Sequence, residues 1–383
     1  MSFEVSSLCD AIDKMMLKHL PPEEVRRRDA AGEPPEHLLK IFADIGLFNL
    51  VLPEKEGGLG GNWEQLSIIQ ERLGYHATMA ALLYNRVTCF GIMTLITSGS
   101  PAQKQAWMPK LLAGEGAFAL ALSEAEAGSD AGALQTRAVK SGKNWKITGR
   151  KIWISGAESA LKMVVAARTD SKSRGGKGVT LFLVSPDAKG ISMTPLDKIG
   201  NRCSLSYDIG FDEVLVPDEA RLGVVGEGFE CLKKTLFYAR SGLAAAVVGT
   251  AQAAVDAALA HARERKQFGQ SIGRFQVLAH RLANMQTDVD LARLLTRELA
   301  KSIDAGKDCT RLSAQAKLVT TETLKKITEQ GMQIMASAGY AVESDMQRYW
   351  RDARLYTFGE GSSEILLDLI AQDIGVGRGI QND

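Results

Sequence analysis

The sequence predicts an α+β chain in three parts: an N-terminal helical domain, a middle β domain and a C-terminal domain resembling a four-helix bundle. Three observations carry this. Apolar residues recur at helical spacing over the first third and again after residue 228, and between them the spacing gives way to short β-prone runs broken by Gly, Asp, Ser and Pro. With 383 residues and roughly 150 residues per domain, the chain has room for two or three cores. The parts are placed at 1–117, 118–227 and 228–383.

In the first part, Leu38, Ile41, Phe42 and Ile45 form one stripe and Leu66, Ile69 and Leu73 another. Helices are separated at Pro21-Pro22, at Pro34-Pro35, at the glycine run 57–61 and at Gly99-Ser100-Pro101, where Ser100 is placed to cap the next helix. The glycine run is expected to be a flexible connector, since no Lys-Ser/Thr follows it as a phosphate loop requires. The β runs are 145–148, 163–167, 179–184 and 214–216, with a hairpin loop at 172–178. After residue 228, an Ala-rich helix at 243–265 should stop at Phe268-Gly269. Leu278, Leu282, Met285, Val289 and Leu295 mark the next buried face, and Leu318, Thr321, Leu324 and Ile327 another.

Composition excludes some functions. Forty-six Lys and Arg against 45 Asp and Glu give a formal charge of +1, which removes the general electrostatic case for nucleic acid or an acidic membrane as partner. The five cysteines are widely spaced, arguing against a disulfide framework or a CxxC metal site. His19, His37, His76, His261 and His280 lack ligand spacing, so no metal is expected. No GxSxG elbow is present. The N-terminus lacks a basic region followed by an apolar run, and no uncharged stretch reaches the roughly 18 apolar residues of a bilayer span. A soluble cytoplasmic protein is expected.

The densest chemical signal is residues 121–133, ALSEAEAGSDAGA. Small side chains expose backbone amides, and with the hydroxyls of Ser123 and Ser129 these can hold the polar edge of a planar cofactor; a bare GSD turn would equally be a surface loop with Asx and Ser caps.

This string resembles the acyl-CoA dehydrogenase signature, in which a Thr/Ser-Glu pair precedes a Gly-Ser-Asp turn. The segment KIWIS at 151–155 is similar to that family's flavin-covering strand, RERKQFGQSIG at 263–273 to its helix end and loop, and QIMASAGY at 333–340 and RDARLYTFGEGSSE at 351–364 to its last two blocks. The resemblance follows the family's order from residue 120 to 364.

What the resemblance implies is a flavoprotein that removes two hydrogens from an acyl-CoA thioester, with FAD as cofactor and an electron-transfer flavoprotein as electron acceptor. It implies Glu360 as the base that takes the α-proton. On residues alone, Glu360 merely precedes a helix capped by Ser362 or Ser363. A subset of the family carries its base just before an Arg on an earlier helix, where this chain has Ala239 before Arg240. The flavin contacts carried over are Leu122, Ser123, Ser129, Trp153, Ile154 and Ser155. Arg265, Gln267, Phe268 and Gln276 match residues that reach the cofactor from a neighbouring subunit, so a homotetramer is expected. Gln333 and Ser337 fall at adenosine-binding positions, and Ser362 and Glu364 at further cofactor contacts. Ser129, Arg240 and Gly361 are the substrate-side residues.

The pattern departs in places. Ala125-Glu126 replaces the usual Pro and small residue, and Ala336-Ser337 a Gly-Gly pair. Gly359 stands where many relatives have Tyr, widening the acyl pocket toward branched, cyclic or aromatic groups, and Phe237 replaces an acidic residue. His76 and Arg86, which could border an acyl tail, read as surface residues. The alternatives are a carrier-protein thioester dehydrogenase or an oxidase of the same fold, or a non-catalytic scaffold subunit.

Overall fold

The computed structural model describes residues 5–377 except 51, 53 and 55–56; the first four and last six residues of the expected terminal parts lie outside it. Among the described residues, seven α-helices precede the first strand: α1 (Val5–His19), α2 (Pro22–Ala31), α3 (His37–Asp44), α4 (Trp63–His76), α5 (Thr78–Asn85), α6 (Thr94–Ser98) and α7 (Pro101–Leu112), with α5 and α6 joined by a π-helical stretch, Arg86–Met93. The caps follow the sequence. Asn62 and Ser100 each form a reciprocal capping box, with Gln65 and Gln103. Leu38 and Phe42 are buried as the stripe requires, but Ile45 lies beyond the end of α3 and is exposed. The glycine run is a tight turn rather than a slack connector, because Gly60 and Gly61 donate to the carbonyls of Leu52 and Leu50.

The middle part is an eight-stranded sheet. Its strands are β1 (Ala117–Ala121), β2 (Arg137–Ser141), β3 (Asn144–Ser155), β4 (Ala160–Arg168), β5 (Val179–Val184), β6 (Ile191–Leu196), β7 (Ser206–Pro217) and β8 (Arg221–Leu222). They run in the order β6-β7-β3-β2-β4-β5-β8, with β1 added parallel to β4. The loop 172–178 lies in the β4–β5 hairpin, as expected. The pairing of β3 with β7 slips between Lys151 and Ile154, where Trp153 takes φ 64°. An irregularity of this kind re-aims side chains.

The last part is built on α8 (Gly228–Glu264), α9 (Gln276–Asp304), α10 (Thr310–Met335), the short α11 (Ser337–Tyr340), α12 (Asp345–Tyr356) and α13 (Ser363–Asp373). Helix α8 ends at Glu264, before the expected stop, and a hairpin of β9 (Lys266–Gln267) and β10 (Gln270–Ser271) turns at Phe268-Gly269, both with positive φ. Helix α8 lies so close to α4 that a Cβ on Gly74 or Gly249 would fall on a facing backbone carbonyl, of Ala246 or Glu71. The helical runs Thr78–Ser98 and Gly228–Glu264 are long and apolar enough to cross a membrane although neither is free of charged residues; 72% of the most apolar window of each is buried inside the fold. Their apolarity is accounted for by the core.

Candidate active site

The turn between α12 and α13 holds Glu360. Gly359 N–H closes α12 onto the Leu355 carbonyl, and Ser362 Oγ accepts from Ile365 N–H to cap α13. Between these two fixed ends, Glu360 has φ 57° and Gly361 φ 106°. Left-handed backbone is costly for a side-chain-bearing residue, so the surroundings must hold it. Two cations do so. Arg240 Nε on α8 donates to the Glu360 carbonyl at 2.8 Å, and Lys317 Nζ on α10 donates to the Gly361 carbonyl at 2.6 Å. Both bond the main chain, leaving the carboxylate bare: Glu360 Oε2 is buried without a hydrogen-bond partner. Among the described residues, no main-chain acceptor takes the Glu360 N–H.

Burial pushes the Glu360 carboxyl well above the usual carboxylate range, against the opposing pull of Lys317 and then Arg240. Burial likewise pushes Lys317 and Arg240 below their ordinary values, with Glu360 pulling each back up. The Cys89 thiol in the π-helical stretch is pushed up to about 12, mainly by burial, with Glu360 adding to the effect. Glu360 therefore sits among groups from three helical runs.

The turn is also tied to the sheet. Asn201, after β6, donates its N–H to Asp352 Oδ1 at 2.6 Å and accepts from the Tyr356 hydroxyl, and Arg351 Nη1 donates to the Ile199 carbonyl at 2.7 Å. These bonds staple α12, the helix leading into Glu360, to the β domain. On the other side, Asn85 Nδ2 donates to the Ala239 carbonyl beside Arg240, while Arg86 Nη2 donates to the Gly156 carbonyl at the end of β3. Arg86 is thus a half-buried bridge rather than a surface residue, lowered to about 10 by burial. His76 is also half-buried, bonded to Asp13. Arg86 and Gly156 border a cavity of about 400 Å³ with Leu82 and Tyr207. Glu360 is not among its lining residues.

The loop carrying Leu122 and Ser123 is pinned from behind by β3. Lys151, fully buried, donates to the Leu122 carbonyl at 2.9 Å and to Glu124 at 2.8 Å, and Ile152 N–H donates to the Ser123 carbonyl at 2.9 Å. Glu124 also accepts the N–H groups of Gln135 and Thr136. Burial raises its carboxyl, but Lys151 and these bonds outweigh that, and it lies below the usual range. Lys151 is lowered by burial to about 8.

The chemistry present fits an isoalloxazine. Trp153 is 56% exposed at the irregular turn of β3, although Lys151 and Ile154 beside it are buried, and Ser129 is exposed on the same signature loop. A flat aromatic surface and a set of small hydroxyl residues are what a planar heterocycle with a polar edge needs. The Ile154 side chain belongs to the sheet core, so only its backbone is available to a ligand. Ser155 Oγ is paired with Ser206 Oγ at 2.9 Å.

The other sequence-derived positions lie elsewhere. Arg265 is 25 residues beyond Arg240 on the same run, about 37 Å at 1.5 Å per residue, and Arg265, Gln267, Phe268 and Gln276 are all exposed there. Gln333 and Ser337 are exposed at the end of α10 and the start of α11, flanking Ala336 with φ 49°. Glu364 is exposed in the first turn of α13. Lys317 escaped the sequence reading. Its only signal was a Lys in phase with the buried face of Ala314, Thr321 and Leu324.

Comparisons with known proteins add the following. Family models describe residues 4–115, 119–214 and 226–375 as the N-terminal, middle and C-terminal domains of acyl-CoA dehydrogenase. The "Probable acyl-CoA dehydrogenase YngJ" of Bacillus subtilis is 36% identical over 380 residues, 98% of this chain and 100% of the relative. The caffeyl-CoA reductase-Etf complex subunit CarC of Acetobacterium woodii is 34% identical over 349 residues, 91% of this chain and 92% of that protein. The solved glutaryl-coenzyme A dehydrogenase glutaryl-CoA complex superposes with TM-score 0.93 at 30% identity, covering 100% of this chain and 98% of that one.

Proposed function

The chain belongs to the acyl-CoA dehydrogenase family, whose members are oxidoreductases, and from that premise we propose that it introduces an α,β double bond into an acyl-CoA thioester with Glu360 as base. The observation that carries this reading is the buried, unpartnered Oε2 of Glu360 on a turn held by Arg240 and Lys317. An α-proton beside a thioester is only weakly acidic, so the base must be dry and aimed, and the developing enolate oxygen must meet a donor. Glu360 Oε2 takes the proton, and the free N–H of Glu360 is the donor offered by this chain. Bound FAD supplies the acceptor for the β-hydride. Leu122, Ser123, Ser129, Trp153 and Ser155 would hold its ring system, with Ser362 and Glu364 beside it. Arg265, Gln267, Phe268, Gln276, Gln333 and Ser337 serve the rest of the cofactor. Phe268 is 92% exposed on a hairpin far from Arg240, which supports a site completed between subunits of a homotetramer. An electron-transfer flavoprotein is the proposed acceptor, in line with the Etf complex named for CarC.

The test is Glu360→Gln, which keeps shape and removes basicity. Loss of a general base costs on the order of 10²–10⁴-fold, so anaerobic flavin reduction by an acyl-CoA should slow by that much while FAD stays bound. Reduction at the wild-type rate excludes Glu360. A second reading runs the same site in the reducing direction on an aryl-substituted enoyl thioester. It is favoured by Gly359, where a Cβ would meet only the Leu355 carbonyl at 3.4 Å, and by the caffeyl-CoA reductase activity named for CarC. A panel of straight, branched, aromatic and dicarboxylic acyl-CoAs, assayed in both directions, separates the two.

A further inference from the structure

A lysine ammonium buried in the core of a helical bundle is expensive to desolvate, and one carbonyl partner does not offset the cost. Lys317 is such a group. It is fully buried on α10, and its hydrogen bond among the described residues goes to the Gly361 carbonyl. Packing alone would be better served at this position by an apolar residue, so its charge calls for another explanation. The charged groups whose fields reach it are Glu360, Arg240, Glu322 and Glu364. Glu322 is engaged elsewhere, with Lys325 and with the Ser363 hydroxyl, and Glu364 is exposed. Glu360 is the buried partner that remains.

We infer that Lys317 is a positioning residue for the reaction, anchoring the turn through the Gly361 carbonyl and standing as a fixed counter-charge behind Glu360 without bonding its carboxylate. This rests on the reading of Glu360 as base. Arg240 holds the carbonyl of residue 360 and Lys317 that of residue 361, so the two successive peptide planes that follow the positive-φ residues are each gripped at the carbonyl. That fixes the direction in which the side chain leaves the main chain. A direct ion pair would do the opposite of what proton abstraction needs, because it would occupy the accepting oxygen. Held at one remove, the charge favours the ionised form of Glu360 while Oε2 stays free. The groups facing Glu360 are Lys317 from α10, Arg240 from α8 and Cys89 from the π-helical stretch. Of these, Cys89 is held neutral as a thiol by burial, leaving the two cations to set the charge balance.

The test compares wild type, Lys317→Arg, Lys317→Gln and Lys317→Met as FAD-loaded protein, with thermal melts to report the fold. Two quantities are read against pH: the anaerobic rate of flavin reduction at saturating acyl-CoA, and protonation of Glu360 in substrate-free protein, taken from infrared difference spectra against Glu360→Gln. An opposite charge within about 4–6 Å moves a pKa by one unit or more. Lys317→Gln, which keeps a donor but no charge, should therefore shift the acidic limb and the infrared titration up by roughly one pH unit. Lys317→Met should show that shift and a limiting rate lower by about tenfold or more, with substrate affinity changed far less, since a displaced base slows the chemical step. Lys317→Arg should restore the limb. Should Lys317→Met fail to fold, Lys317→Gln decides alone. An unshifted infrared titration in Lys317→Gln overturns the inference while leaving Glu360 as base. Full activity of Glu360→Gln would instead remove the base, and the inference with it.

Discussion

Gly361→Ala is the sharpest probe of the proposed role of the Glu360 turn, because the structure gives two separate reasons why a single methyl should act there. The residue sits at φ 106°, a region outside the small left-handed basin that L side chains tolerate, and holding a non-glycine residue in such backbone costs on the order of 1–3 kcal/mol. Its new Cβ would also lie 3.0 Å from Arg240 Nη2, so the guanidinium must give by a few tenths of an ångström. That guanidinium holds the Glu360 carbonyl. With an unfolding entropy of roughly 2.1 cal/mol/K per residue, a chain of 383 residues loses only about 2–3 °C of melting temperature for a destabilisation of about 2 kcal/mol. The chemical effect should be larger, since misplacing a catalytic group by about 1 Å can cost on the order of a hundredfold. Stopped-flow flavin reduction should slow between tenfold and a hundredfold while the melt moves by a few degrees. Gly359→Ala is the control: its backbone is not left-handed, its Cβ meets only the Leu355 carbonyl at 3.4 Å, and it should leave the rate on a straight-chain substrate within about threefold. Equal, small effects of the two substitutions on the rate would show that the geometry of the turn does not govern proton abstraction.

Lys151→Met strands the Glu124 carboxylate, whose side chain is only 9% exposed; stability should fall by about 3–5 kcal/mol in denaturant unfolding, with weaker FAD binding, and adding Glu124→Gln should recover part of the loss. Unchanged stability in the single variant would refute the role given to the pair. Trp153→Ala should weaken FAD by the about 1–3 kcal/mol typical of an aromatic stacked on a heterocycle, read as a roughly tenfold or greater rise in Kd, whereas Trp153→Phe should keep most of the affinity; an alanine variant that binds as tightly as wild type puts the flavin elsewhere. Asp352, buried and stapled to Asn201, is pushed from 3.8 up to about 6, first by burial. The folded form thus holds its proton where the unfolded chain has lost it, so this group's contribution to stability is full below about pH 4 and falls as pH rises to about 6. Asp352→Asn keeps the acceptor and removes the titration. Its stability relative to wild type should therefore improve between pH 4 and 7 by up to about 3 kcal/mol, at 1.36 kcal/mol per pKa unit, and parallel unfolding curves at the two ends would contradict it.

The order of the fold was legible because it is written in periodicity. The β run 179–184 coincides with β5, Ser100 caps α7 as its position before Pro101 suggested, and the pattern of Leu282, Met285 and Val289 is the buried face of α9. What sequence could not supply was polar burial. Ile45 looked like part of a stripe but falls after α3 ends. Arg86 and His76 looked like surface residues because nothing local announces a partner, yet their acceptors are the Gly156 carbonyl, 70 positions away, and Asp13, 63 positions away. Lys317 is the same case in sharper form, since the carbonyl that explains it is 44 residues downstream and belongs to a turn whose backbone hand is invisible in a string of letters. Buried cations find main-chain acceptors through tertiary contacts, and such contacts leave no period to count.

The arrangement around Glu360 separates holding from reacting. A strained turn needs strong bonds, and hydrogen bonds from charged donors, worth about 1.5–3 kcal/mol each, are enough to offset backbone strain of the same order. Had Arg240 and Lys317 bonded the carboxylate, the same energy would have lowered its pKa and consumed its lone pairs, giving a stable but inert ion pair. By taking the carbonyls of residues 360 and 361 instead, the cations stabilise the turn whether or not the carboxyl carries a proton. Glu360 can then change protonation state without loosening its own support. It follows that Glu360→Gln should leave the turn and the fold nearly untouched, whereas substitutions at Arg240 or Lys317 disturb geometry and charge together. Two removals from one site should thus have different thermodynamic signatures, with activity lost alone in the first and activity, pH dependence and stability moving together in the second.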